Sequence, residues 1–142
     1  MPTTREVCVI SAKAALVILV DDHEDSREMY QLTLSSAGFR VVATATAEEA
    51  LRLAQKLQPD AVVTDVRLAG ESGLDLAQRL RGDVRTRKAA ILLLTGDIRA
   101  RQRASEVGSD RFLLKPFLPG ALADEIAAAL AERARTIADG GH

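Results

Sequence analysis

Four short apolar runs, Leu16–Val20, 61–63, 90–94 and 112–114, each end at or just before polar residues: Asp21 and Asp22, Asp65, Thr95 and Lys115. The runs are apolar throughout rather than alternating with polar residues, which is the pattern of strands covered on both faces. Helical stretches separate them, and parallel strands need such crossovers. In neighbouring parallel strands the C-terminal ends fall on one edge of the sheet, where open α/β folds place their sites. The five polar residues are therefore expected together.

The intervening segments complete the alternation. The spacing predicts a helix over about 26–37, with Asp25 and Glu28 at capping spacing and Gly38 as its C-terminal stop. A second strand follows over 39–43. Thr46-Ala-Glu-Glu49 reads as a capping box opening a helix that continues through Leu57 and stops before Pro59. The third strand covers 60–64 and ends at Asp65. Gly70 and Gly73 bracket the next loop, and Leu74, Ala77 and Leu80 recur at helical spacing. The fourth strand is placed over 90–94, a short fourth helix over 99–107, and the fifth strand over Arg111–Leu114. Leu122, Ile126 and Leu130 mark a last helix from about Leu118 into the 130s. A chain of 142 residues accommodates one domain, read as an extension over 1–14, a folded unit over 15–131 and a tail over 132–142.

A net charge of −1, from 19 basic and 20 acidic residues, provides no field for nucleic acid or an anionic membrane. The basic stretch of Arg79, Arg81, Arg85, Arg87 and Lys88 reads as a solvated helix end. One tyrosine, three phenylalanines and no tryptophan argue against a base-stacking surface. Cys8 is the only cysteine, so an internal disulfide and a cysteine-based zinc cluster are excluded. The basic-then-apolar segment from Lys13 to Val20 is too short to span a bilayer, and a cytoplasmic location is expected.

The chemistry of the strand ends is specific. Two carboxylates about 4 Å apart repel by roughly 4 kcal/mol at an effective dielectric near 20. A divalent cation removes that cost, and hard oxygen donors without clustered histidine favour magnesium over zinc. Lys115 and Thr95 add an ammonium and a hydroxyl, suited to a phosphoryl group, and an aspartate can accept that group covalently. His23 follows the acid pair, but a lone histidine in a loop does not make a metal site.

Together, Val-Asp-Asp at 20–22, Val-Thr-Asp-Val-Arg-Leu at 63–68, Gly-Leu-Asp-Leu at 73–76, Leu-Thr-Gly at 94–96 and Phe-Leu-Leu-Lys-Pro-Phe at 112–117 resemble the response-regulator receiver domains of two-component signalling. The resemblance implies a CheY-like (flavodoxin-like) doubly wound sheet of five parallel strands in the order 2-1-3-4-5. Asp65 resembles the phosphoacceptor. Asp21 and Asp22 resemble the pair that holds Mg2+, with the backbone carbonyl of Arg67 as a further ligand. Lys115 resembles the lysine that pairs with the acceptor, followed by a cis bond to Pro116. Thr95 and Phe112 resemble the switch hydroxyl and switch aromatic, which remodel the face made by the fourth helix, fifth strand and fifth helix. The expected partners are a histidine kinase or histidine phosphotransfer protein, and a downstream protein bound by that face. The expected state is a monomer or weak homodimer.

Departures from the pattern are local. Ala69 stands where a proline is usual, implying a less rigid loop, and the interval from Thr95 to Lys115 is shortened around the fourth helix. Arg67 and Asp97 lie two residues beyond Asp65 and Thr95. Their opposite charges lead us to expect a pair across the mouth of the site that slows attack by water. Two other classes compete. A pseudo-receiver would serve only as an interaction or dimerisation module and has no need of the intact polar set. A haloacid-dehalogenase-type phosphohydrolase wants a second aspartate where this chain has Arg67.

Overall fold

Alternate side chains along each central strand enter opposite apolar layers, and this explains why the runs are apolar throughout. The computed structural model describes residues 14–138, so Cys8 lies outside the described residues. Strands β1 (Leu16–Val20), β2 (Arg40–Thr44), β3 (Ala61–Asp65), β4 (Ala90–Thr95) and β5 (Arg111–Leu114) form one parallel sheet in the order β2-β1-β3-β4-β5. This is the architecture and strand order implied by the resemblance.

The helices are α1 (Glu24–Ser36), α2 (Ala47–Leu57), α3 (Gly73–Gly82), α4 (Arg101–Glu106) and α5 (Pro119–Ala138). On one face of the sheet, Ile18, Val20, Val62, Ile91 and Leu93 pack with Ala50 and Ala54 of α2, Leu76 and Leu80 of α3, and Ala104 of α4. On the other, Val17, Leu19, Val63, Leu92 and Leu94 pack with Tyr30 and Leu34 of α1 and Leu122 and Ile126 of α5. Each fully buried Leu, Ile or Val contributes about 1.5–3 kcal/mol, so the doubly covered strands hold the sheet rigid behind its polar edge.

Several local boundaries differ from the sequence reading. Helix α1 begins at Glu24, with His23 as an N-cap that makes no side-chain cap bond, so Asp25 is a first-turn residue and not a cap. The earlier start follows from Asp21 Oδ1 accepting the His23 N–H at 2.9 Å, which turns the chain at once. Glu24 and Asp25 then face the positive end of the helix dipole. Strand β2 runs one residue later than expected, because Phe39 N–H is held by Leu34 O at the end of α1 and Arg40 N–H pairs with Ala15 O.

The α2 capping box is half formed. Thr46 Oγ1 accepts the Glu49 N–H, but the Glu49 carboxylate bonds Thr44 Oγ1. Glu71 takes its place from afar, accepting Ala47 N–H at 2.7 Å and Glu48 N–H at 3.3 Å. The fourth helix opens as a 3-10 turn over Ile98–Ala100, capped by Asp97, before the single α-helical stretch of α4.

The basic stretch from the last turn of α3 onward is not uniformly solvated. Arg81 donates to Gly108 O, Arg87 O and Ala89 O, and pairs with Asp110 at 2.7 Å. Arg133 of α5 reaches the same Asp110 at 3.1 Å, and Asp110 also accepts Ile91 N–H. Arg81 therefore ties α3 to the approach to β4 and the loop before β5, while Arg79, Arg85, Arg87 and Lys88 remain exposed.

Candidate functional site

Strand register assembles the site. Val20 is level with Thr64, so Asp21 comes level with Asp65. Asp65 is in turn level with Leu94, one residue before Thr95. Thr95 is level with Leu114, and Lys115 projects one step further. The backbone repeats the pattern: Asp21 N–H donates to Thr44 O, Val66 N–H to Leu94 O, and Lys115 N–H to Thr95 O.

Oxygen or nitrogen atoms of Asp21, Asp22, His23 and Asp65 lie within 4.8 Å of one another. Asp21 and Asp65 are buried, Asp22 is half-buried and His23 is exposed. The His23 ring, set aside in the sequence reading, stands at the outer rim with Nδ1 3.4 Å from Asp22 Oδ1. Asp21 Oδ2 and Asp22 Oδ1 are buried without a hydrogen-bond partner among the described residues. Buried carboxylate oxygens normally find donors, so this orphaned pair, beside a third carboxylate, fits a hard cation.

Asp65 shows the same strain in its acidity. Burial, reinforced by the neighbouring Asp21 charge, pushes its carboxyl up to about 6 against the opposing effect of Lys115. Lys115 Nζ donates to Asp65 Oδ1 at 2.8 Å. Burial works against the ammonium, but the Asp65 hydrogen bond and charge outweigh it and raise the lysine above its ordinary value. The Lys115–Pro116 bond is cis, as expected.

The loop after β3 is held by two contacts. Gly73 is obligatory, because a Cβ there would lie 2.1 Å from the backbone oxygen of Asp65. Ala69 N–H donates to Asp22 Oδ2 at 3.0 Å, a bond a proline would lack. The residue expected to loosen this loop thus supplies a tether to the acid pair. Residues Arg67–Leu68 and Glu71–Ser72 form a small antiparallel pair around Gly70.

The mouth of the site is lined by Arg67, Thr95, Gly96, Asp97 and Arg99, around a cleft of about 440 Å³. Thr95 Oγ1 accepts the Asp97 N–H at 3.1 Å. Arg67 does reach Asp97, but at 3.5 Å, whereas Arg99 holds the same carboxylate with both guanidinium contacts at 2.9 Å. Arg99 is therefore the partner that holds the Asp97 carboxyl well below the usual carboxylate pKa, with Arg67 a lesser contributor. Phe112, on β5, is half-buried, and the Arg101 guanidinium lies 5.3 Å from its ring centroid. Sequence spacing gave no signal for Arg99 or Arg101, because both contacts depend on how the shortened fourth helix turns.

Comparison with known proteins decides what this edge belongs to. Residues 17–127 match the response regulator receiver domain family. The chain belongs to that family. Among curated relatives of this receiver, the phosphate regulon transcriptional regulatory protein PhoB of Pseudomonas aeruginosa is 33% identical over 116 residues, covering 80% of this chain and 51% of the relative. Protein PetR of Rhodobacter capsulatus is 40% identical over 114 residues, covering 78% of this chain and 46% of the relative. The receiver thus spans about half the length of these relatives. The chemotaxis response regulator CheY4 of Vibrio cholerae superposes with a TM-score of 0.77 at 31% identity, covering 82% of this chain and 98% of that one. Receivers gain and lose a phosphoryl group on an aspartate and are not dedicated metabolic enzymes. No helix among the described residues is long and apolar enough to cross a membrane.

Proposed function

We propose that this receiver accepts a phosphoryl group on Asp65 from a phosphohistidine of a histidine kinase or histidine phosphotransfer protein, with Mg2+ as the cation. The observation that carries this reading is the desolvated Asp65 carboxylate, bonded to Lys115 on one side and facing the orphaned oxygens of Asp21 and Asp22 on the other.

In the transfer, an Asp65 carboxylate oxygen forms a bond to phosphorus as the phosphorus–nitrogen bond breaks. The imidazole nitrogen keeps the bonding pair. Hydrolysis of the acyl phosphate returns the carboxylate and releases inorganic phosphate. Lys115 offsets the charge that accumulates on the oxygens, and Thr95 offers its hydroxyl from the adjoining strand end. Asp21, Asp22, Asp65 and the Arg67 carbonyl are the donors assigned to Mg2+, which supplies electrostatic stabilisation of the phosphoryl oxygens.

Thr95 and Phe112 are assigned as the residues that couple phosphorylation to the face made by α4, β5 and α5. A downstream protein reads that face, as a population shift between two arrangements. The exposed positions Ile98, Leu114 and Leu118 border it and provide apolar contact area for such a partner.

Incubation with Mg2+ and acetyl phosphate, followed by intact-mass measurement, tests the reading. One added phosphoryl group that is lost in Asp65→Asn is expected. The absence of any adduct would favour a pseudo-receiver, and rapid turnover of unrelated phosphate esters would favour a hydrolase.

A further inference from the structure

One buried polar side chain beside the site has no part in the chemistry above. Tyr30 of α1 is only 7% exposed. The surroundings show where the phenol ends. Burial raises its pKa, Lys115 lowers it, and Asp65 and Asp21 raise it, so the phenol lies within the field of all three site residues.

The other side of the ring is equally specific. Tyr30 stacks on Phe117 with centroids 6.0 Å apart and planes 22° from parallel. Phe117 is separated from Lys115 only by Pro116, and both rings belong to the core layer beneath β1, β3 and β4. Lys115 itself has two other anchors, its N–H on Thr95 O and its ammonium on Asp65. Its side chain is 34% exposed, so water competes for the ammonium. Beyond Phe117 the chain passes through Leu118, 79% exposed, before α5 begins. The aromatic stack thus joins the far side of the lysine turn to α1.

We propose that Tyr30 is a positioning residue that acts through Lys115: its ring, stacked on Phe117, clamps the turn after β5 and keeps the ammonium on the phosphoacceptor. This rests on the assignment of Asp65 as phosphoacceptor. Misplacing a charged group by about 1 Å is enough to slow a transfer step, which makes a clamp outside the reacting atoms consequential.

The test is the rate of Asp65 phosphorylation by acetyl phosphate at saturating Mg2+. Tyr30→Leu, Tyr30→Phe and Phe117→Leu are compared in the native and Lys115→Ala backgrounds, with thermal midpoints recorded for each. The expected result is about fivefold slowing in Tyr30→Leu and Phe117→Leu, rescue to within about twofold in Tyr30→Phe, and no further slowing once Lys115 is alanine. Should Tyr30→Leu fail to fold, Phe117→Leu reads the same stack from its other ring. Equal slowing with and without Lys115 overturns the proposal in favour of general packing, as does a Tyr30→Leu rate within twofold of wild type. Tyr30→Phe as slow as Tyr30→Leu also overturns it. If wild type forms no Asp65-dependent adduct, the phosphoacceptor reading itself fails and takes this proposal with it.

Discussion

Lys115 Nζ and Asp65 Oδ1 stand 2.8 Å apart, joining the turn after β5 to the end of β3 across the intervening strand. The contact favours ionised Asp65 and opposes the effect of burial. In Lys115→Ala, the Asp65 carboxyl is expected to titrate above its value of about 6 in the metal-free protein. A pH series following the Asp65 side-chain carbonyl by carbon-13 NMR reads this directly. An unchanged or lower midpoint would show that the ion pair does not set the acidity of the acceptor.

Stability should carry the same signature with a defined sign. The folded carboxyl is raised above the ordinary aspartate value of 3.8, so between that value and about 6 the native state binds more protons than the unfolded one. Asp65 thus stabilises the metal-free fold at low pH, and that stability is lost as pH rises through about 6. Urea unfolding of wild type relative to Asp65→Asn is expected to lose up to about 3 kcal/mol between pH 4 and pH 7. A difference that stays flat, or grows with pH, contradicts the assignment.

Gly73 sets a packing limit rather than an electrostatic one. A methyl group there meets the Asp65 carbonyl at 2.1 Å, and a backbone atom cannot rotate away as a side-chain tip can. Gly73→Ala is expected to lower stability by about 3 kcal/mol, seen as a fall in the thermal midpoint. An unchanged midpoint would mean that α3 can withdraw from β3 without cost.

Arg67 reaches Asp97 only weakly because Arg99 already occupies that carboxylate, which leaves the Arg67 side chain 80% exposed at the mouth of the site. Arg67→Ala is expected to shorten the acyl-phosphate lifetime about two- to fivefold, the modest effect of an exposed charge. A lifetime equal to or longer than wild type removes Arg67 from any shielding role.

The sheet was legible in the sequence because each central strand is buried on both faces and can be apolar at every position. The site was legible because parallel strands bring their ends to one edge, so Asp21, Asp22, Asp65, Thr95 and Lys115 converge by register alone. What escaped depends on contacts distant in sequence. Glu71 caps α2, Arg81 meets Asp110, and Tyr30 meets Phe117, and in each case no local periodicity links the partners. The α1 cap was misplaced for the opposite reason. Asp25 and Glu28 had the right spacing, but Asp21 had already turned the chain.

The most direct measurement of the central claim locates the phosphoryl group itself. Protein treated with acetyl phosphate and Mg2+ is reduced with borohydride, which converts an aspartyl phosphate to homoserine, and the product is sequenced by tandem mass spectrometry. Homoserine at position 65 alone, and only when both Mg2+ and acetyl phosphate were present, is the expected result. Homoserine at another carboxylate, or none at position 65 under conditions that phosphorylate the protein, would contradict the account.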